Sequence, residues 1–82
     1  MPNPCITAIL SQALSREEVT RLWETEGGLS EPFPRVEFEV AGQRVQICLV
    51  GGETRTRKIQ SVVRPFERAI HRKYKEMQLK WE

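Results

Sequence analysis

An alternation of apolar and polar residues on both sides of one glycine constrains the fold of this chain more than any other feature. Apolar side chains stand at every second position over residues 36–40, and the alternation resumes over residues 45–49 beyond a turn at Gly42. A period of two is the pattern of strands that bury one face. The sequence therefore predicts a β-hairpin over residues 35–50.

Two registers of this hairpin satisfy the alternation. In one, a type II′ turn begins at Gly42 and pairs Val40 with Val45. In the other, the turn begins one residue earlier and pairs Glu39 with Arg44. Both registers place the same apolar residues on the inner face, so the alternation leaves the choice between them open.

Two short helices are predicted ahead of the hairpin. Pro4 follows an asparagine, as at many helix starts, and apolar residues then recur at helical spacing, which predicts a helix over residues 4–14. Ser15 and Glu18 have the spacing of a capping box. They predict a second helix over residues 16–26, which ends before two glycines.

The chain after the hairpin permits two interpretations. Residues 53–59 alternate and contain threonine, which favours a third strand that closes a meander. A helical stripe of apolar residues favours instead a helix from about residue 56, with Pro65 inside it. An interior proline costs about 3 kcal/mol, whereas a proline in the first turn costs little. We therefore favour the strand, followed by a helix over about 62–81 with Ser61 as its N-cap.

Together these elements predict one α+β domain over residues 1–82. It would contain two short N-terminal helices, a small antiparallel β-hairpin or three-stranded meander, and a long basic amphipathic C-terminal helix. A chain of 82 residues buries a modest core, so we expect a homodimer. The sequence has no apolar run long enough for a membrane span and no signal-peptide pattern, which predicts a cytoplasmic protein without membrane contact.

The cysteines and the histidine bear on metal and redox chemistry. Cys5 and Cys48 are expected to be two separate buried thiols, because they lie far apart on different predicted elements and the cytoplasm is reducing. With one histidine in the chain, the sequence has too few ligands for an ordinary zinc site. We expect neither a metal nor a cofactor.

Charge is divided unevenly along the chain. The last 29 residues hold nine basic and three acidic side chains and carry +6, whereas the preceding 53 residues carry −4. Such asymmetry indicates a polyanionic partner. On the predicted C-terminal helix, cations recur every fourth residue, which is about 6 Å along the axis. The residues predicted to bind nucleic-acid phosphates are Arg64, Arg68, Arg72 and Lys75, with Arg57 and Lys73 in support.

The basic face of the predicted C-terminal helix also has a simpler explanation. In that explanation the face is solvated and complements the helix dipole, while Glu67 or Glu76 pairs locally with His71 or Lys80. Tyr74 and Trp81 are the aromatic residues nearest the predicted basic face. We expect them to be core or helix-end residues, and the strands lack the aromatic residues of an RNA-recognition motif.

The sequence offers one histidine, His71, as a candidate acid or base for an enzymatic site. His71 is expected to be an exposed helical residue, and no nucleophile is assigned beside it. A small basic ribonuclease would use His71 together with Arg68, Arg72 and Tyr74. We predict that the protein is not an enzyme.

The sequence thus predicts a small protein that binds the phosphate backbone of RNA or DNA through its basic C-terminal helix. The alternative is a protein-interaction module, such as a small inhibitor or adaptor. That module would use an acidic N-terminal surface and dock the basic helix on an acidic partner. The acidic residues of that surface are Glu17, Glu18, Glu24, Glu26 and Glu31.

Overall fold

A computed structural model of the chain describes residues 4–26, 35–50 and 59–82. Its elements, in chain order, are β1 (Cys5–Leu10), α1 (Arg16–Glu26), β2 (Arg35–Ala41), β3 (Arg44–Val50), a 3-10 turn (Ile59–Val62), α2 (Val63–Lys73) and β4 (Leu79–Trp81). The strands form one antiparallel sheet in the order β2-β3-β1-β4. This β-α-β-β-α-β succession is the split β-α-β arrangement of ferredoxin-like topologies.

The predicted helix over residues 4–14 is wrong, because Cys5–Leu10 form the strand β1. β1 pairs with β3 on one side and with β4 on the other, so both of its edges are hydrogen-bonded. Ile6, Thr7 and Ile9 are β-branched, and an isolated helix of this length is only marginally stable. Pairing on two sides therefore outweighs the helical spacing of the apolar residues.

The predicted long C-terminal helix is also wrong. α2 ends at Lys73, and residues 79–81 form the short strand β4. The backbone N–H of Tyr74 still donates to the carbonyl oxygen of Ile70 at 2.7 Å, but Tyr74 itself leaves the helical conformation. The last residues then pair with β1 and satisfy backbone groups that would otherwise remain at its edge.

The start of α2 differs from the predicted one as well. Val62 is the N-cap instead of Ser61, which lies within the 3-10 turn, and no side chain caps the helix. Pro65 lies in the first turn of α2, where its missing N–H costs little. The choice between a third strand over 53–59 and a helix from about 56 falls mainly on residues outside the described ranges.

The predicted hairpin is confirmed as β2 and β3, in the register that pairs Val40 with Val45. Gly42 has a φ of +62°, whereas Gln43 has no positive φ. This combination is that of a type II′ turn, which requires a positive φ at its first central residue only. The predicted helix over 16–26 is likewise confirmed as α1.

Both helices cover the same face of the sheet. Aromatic rings connect the layers: Trp23 of α1 contacts Phe38 of β2 with centroids 5.9 Å apart. Phe38 lies 6.3 Å from Phe66 of α2, and Phe66 lies 5.9 Å from Trp81 of β4. Such offset and edge-on pairs add to the free energy of apolar burial. The other buried residues in the described part of the chain are Ala8, Leu10, Leu14, Val19, Leu22, Val45, Ile47, Leu49, Val62, Ala69, Ile70 and Met77.

The two cysteines are not the separate buried thiols that the sequence led us to expect. Cys5 and Cys48 stand opposite each other on β1 and β3 with Cα atoms 4.1 Å apart, and they form a disulfide. The N–H of Leu49 donates to the oxygen of Pro4, so the pair lies at a non-hydrogen-bonded position, where opposite side chains come closest. The expectation failed because it placed Cys5 on a helix. The cytoplasmic location and the homodimer stay predictions.

Candidate nucleic-acid interface

The helix α2 exposes a row of three arginines. Arg64, Arg68 and Arg72 recur every fourth residue and are exposed, whereas Phe66 and Ile70 of the same helix are fully buried. Eight residues of α-helix span about 12 Å, so the row has a fixed pitch of about 6 Å. We call these three residues the arginine ridge.

Glu67, the only acidic residue of α2, does not neutralise the arginine ridge. Its Oε2 accepts a hydrogen bond of 2.6 Å from Nε1–H of Trp81, which holds the carboxylate towards β4. Within residues 4–26, 35–50 and 59–82, no carboxylate forms an ion pair with a ridge arginine. The local pair between Glu67 and His71 in the simpler explanation is not formed. The positive charge of the ridge is therefore available to an external anion.

Arg64 lies at the end of α2 where a cation is least favourable. The N-terminus of a helix carries a partial positive charge, so acidic residues stabilise its first turn. α1 follows this rule with Glu17 and Glu18, whereas α2 has no acidic residue in its first turn. Arg72, in the last turn of α2, complements the dipole. Helix stability thus accounts for Arg72 but not for Arg64.

The other predicted binding residues lie off the arginine ridge. Lys73 ends α2 and Lys75 follows in the next turn, and both are exposed. The prediction that Lys75 continues the row on the helix is wrong, because the helix has already ended. Lys73 lines a recess of about 130 Å³ with Glu18 and Tyr74. Arg57 lies outside the described residues.

The two aromatic residues near the arginine ridge are not presented as open platforms for bases. Tyr74 is half-buried at the C-terminal end of α2, where burial and then the nearby Glu18 raise its pKa. Trp81 is half-buried as well and packs edge-on against Phe66. The prediction of core or helix-end residues is confirmed for Tyr74, the C-cap of α2, whereas Trp81 lies on β4 and packs half-buried against the core.

The face of the sheet turned away from the helices offers no aromatic platform in the described strands. RNA-recognition motifs also have a four-stranded sheet, and they stack bases on aromatic residues of the strands. Here the central strands β1 and β3 carry small, polar and aliphatic residues on that face, and the disulfide lies among them. These residues are Cys5, Thr7, Ile9, Arg44, Gln46, Cys48 and Val50. The candidate site therefore rests on α2.

The residues around the start of β4 were not predicted from the sequence. A groove of about 560 Å³ lies there, and Ser11, His71, Gln78 and Leu79 are among the residues that line it. The alternation over residues 79–81 is the signal that indicates β4. Three residues are too few to outweigh the helical stripe that precedes them.

The rest of the described structure gives no further indication of function. No three His, Cys, Asp or Glu side chains among the described residues converge into a group that could hold a metal ion. Neither α1 nor α2 is long and apolar enough to cross a membrane. Comparisons with models of protein families, with curated proteins and with solved structures found no match to this chain.

Proposed function

We propose that the protein binds nucleic acid through the arginine ridge of α2, with contacts mainly to phosphates. The observation that carries the proposal is an exposed row of arginines that no described carboxylate neutralises, one of which opposes the helix dipole. Guanidinium groups form bidentate hydrogen bonds with phosphate oxygens. Because the helix fixes their spacing, little backbone entropy is lost on binding.

The helix α1, which packs beside α2, favours this function over the protein-interaction alternative. Its exposed charges are mixed: Arg16, Glu17 and Glu24 line one shallow depression of about 310 Å³. An acidic surface that docks on a basic partner requires one sign of charge, and the described part of α1 does not provide it. Glu31 lies outside the described residues. The exposed charge of α2, in contrast, is predominantly basic.

Fluorescence anisotropy across a salt series tests the proposal with labelled RNA and DNA, each as a single strand and as a duplex. Each phosphate contact contributes about −0.9 to the slope of log K against log salt for duplex DNA, and about −0.7 for a single strand. The double variant Arg64→Ala/Arg68→Ala should flatten the slope by about 1.4 to 1.8 units. It should weaken binding to all sequences alike, because phosphate contacts carry no sequence information.

The matched control is Arg16→Ala/Arg44→Ala, which removes the same charge from exposed positions on α1 and β3. It should change the slope much less. Alanine is the best helix former, so the ridge variant should remain folded, as circular dichroism would show. Equal weakening by both double variants would mean that only net charge matters and would reject the ridge. No binding at low salt by the folded wild-type protein would reject the function and direct the search to co-purifying proteins.

A further inference from the structure

The groove beside the C-terminal end of α2 has the size and lining of a ligand site. Its volume of about 560 Å³ lies within the range of small-molecule pockets, about 300–1,000 Å³. Leu10 and Met77 are buried beneath it, and Leu79, which pairs with Leu10 on the same face of the sheet, adds half-buried apolar surface. The floor of the groove is therefore apolar.

Hydrogen bonds around Ser11 fix this floor in place. The Ser11 hydroxyl donates to Sδ of Met77 at 3.4 Å and accepts from the backbone N–H of Gln78 at 2.9 Å. The backbone of Ser11 also donates to the oxygen of Gln78, and its own oxygen accepts from Nε2 of Gln43. Because both the hydroxyl and the backbone of Ser11 are hydrogen-bonded, this end of the groove is held in one conformation before any ligand binds. Preformed sites lose less entropy when they bind.

The rim of the groove is polar and basic. His71, Gln78 and Lys80 are exposed, and their side chains form no hydrogen bond or ion pair with the rest of the described chain. An imidazole ring can stack on a base, and a carboxamide both donates to and accepts from a base edge. His71 and Gln78 together match one base. Lys80 is paired with Ile9 and starts from the far face of the edge strand β4, where its ammonium attracts the phosphate attached to that base.

The groove continues the arginine ridge. His71 lies three residues after Arg68, so the two side chains are neighbours on the surface of α2, with Cβ atoms about 5–6 Å apart. A strand whose phosphates follow the ridge towards the end of the helix thus arrives at the rim of the groove. An unpaired base of that strand can then turn into the groove, whereas a base in a duplex is held by its base pair and by stacking.

We propose that this groove holds one unpaired base of a single-stranded nucleic acid, stacked on His71 over the apolar floor. The inference rests on the proposed function, since the ridge holds the strand that delivers the base. Apolar contact alone would suit a peptide equally well. The basic rim and its continuity with the ridge favour a nucleotide, because both attract the phosphate attached to the base.

The test compares two short single strands of equal length and charge, one with bases of mixed sequence and one abasic. Wild-type protein should bind the base-containing strand about tenfold more tightly, because stacking one base contributes about that much. His71→Ala should bring the two affinities close together and leave the salt slope unchanged. Gln60→Ala, an exposed substitution before α2 and away from the groove, should keep the wild-type ratio.

NMR spectra locate the base during the same titration. The amide signals of Ser11, Met77 and Gln78 should shift with the base-containing strand and not with the abasic one. Equal affinity of the wild-type protein for both strands would overturn the base site. So would an unchanged ratio of the two affinities in His71→Ala. A protein segment would then be the better candidate ligand of the groove. The ridge would still be supported in that case, because the abasic strand would bind with a steep salt slope. Failure of both strands to bind at low salt would instead reject the proposed function, and this inference with it.

Discussion

Glu18 takes part in two interactions that join the start of α1 to the end of α2. Its backbone N–H donates to Oγ of Ser15 at 3.1 Å, and the N–H of Ser15 donates to Oε1 of Glu18 at 2.9 Å. This reciprocal pair is a capping box, which satisfies two backbone donors that the helix itself leaves free. The same carboxylate is close enough to Tyr74 to act on its phenol.

Tyr74 gives the residue-scale prediction, because burial first and the Glu18 charge second raise its pKa above the ordinary value of 10.0. The folded protein therefore holds the phenolic proton more tightly than the unfolded chain does. The resulting stability is fully present below the unfolded pKa and is lost as pH rises through the folded pKa. Tyr74 is the one tyrosine of the chain, so absorbance at alkaline pH follows it alone. The midpoint should lie above 10.0 in buffer and near 10 in urea.

The matched variant for this titration is Glu18→Gln, which removes the charge and keeps an oxygen that can accept the Ser15 hydrogen bond. Its midpoint should move only part of the way back, since burial is the larger cause of the raised pKa. A wild-type midpoint at or below 10.0 would contradict the arrangement of Tyr74 and Glu18. A complete return to the ordinary value in Glu18→Gln would show that burial contributes nothing.

At the scale of the elements, one side chain, that of Trp81, holds β4 in place more than its short strand pairing does. β4 has three residues, and among the described strands it pairs only with β1. Trp81 fastens it to α2 in two ways, because its ring packs on Phe66 with centroids 5.9 Å apart and its Nε1–H donates to Glu67. The same bond keeps the Glu67 carboxylate engaged at β4, and none of the described arginine side chains is its partner. The anchoring of β4 and the free charge of α2 thus have a common cause.

Trp81→Phe should therefore loosen β4 while it preserves most of the ring packing. The variant leaves the half-buried carboxylate of Glu67 without its donor, and a lost hydrogen bond of this kind costs about 1–2 kcal/mol. Hydrogen exchange should become faster at the amides of Ser11 and Glu82, whose acceptors lie across the β1–β4 pairing. Glu67→Gln keeps an acceptor oxygen and should accelerate exchange less. Unchanged exchange at both amides in Trp81→Phe would show that the strand pairing, rather than the tryptophan, holds β4.

Elements that local contacts specify were predictable from the sequence, whereas elements that distant pairing specifies were not. α1 is set by Ser15 and Glu18, three residues apart, and the hairpin by a turn at Gly42 between two alternating segments. β1 and β4 come from opposite ends of the chain, and their strand character arises from their mutual pairing and from the pairing of β1 with β3. Helical spacing then gave the wrong prediction in both places, because the local signals against it were weaker: a few β-branched residues in β1 and three alternating residues in β4.

The same division holds for the candidate site. The spacing of Arg64, Arg68 and Arg72 is a local property of a helix, so the sequence sufficed to place them on one side of α2. The orientation of Glu67 towards Trp81 and the groove beside His71 both require β4. Neither could be inferred while the end of the chain was assigned to a helix.

At the scale of the whole molecule, the disulfide links the two central strands of a small domain. Cys5 and Cys48 are 43 residues apart, and the loop that they close contains α1 and β2. A chain of this length buries a modest core, so a cross-link that restricts the unfolded state contributes a large share of the net stability. The arginine ridge lies outside the loop, on α2.

Reduction of the disulfide should lower the free energy of unfolding by about 2–4 kcal/mol, the range expected for a loop of this size. Urea unfolding with and without a reductant measures the difference. Cys5→Ala/Cys48→Ala should have the same free energy of unfolding as the reduced wild-type protein, and the reductant should not change it. An equal effect of the reductant on both proteins would show that the effect does not come from the disulfide. Because α2 is not part of the closed loop, reduced protein that remains folded should bind nucleic acid with an unchanged salt slope. A flattened slope in folded, reduced protein would mean instead that the central strands control the geometry of the arginine ridge.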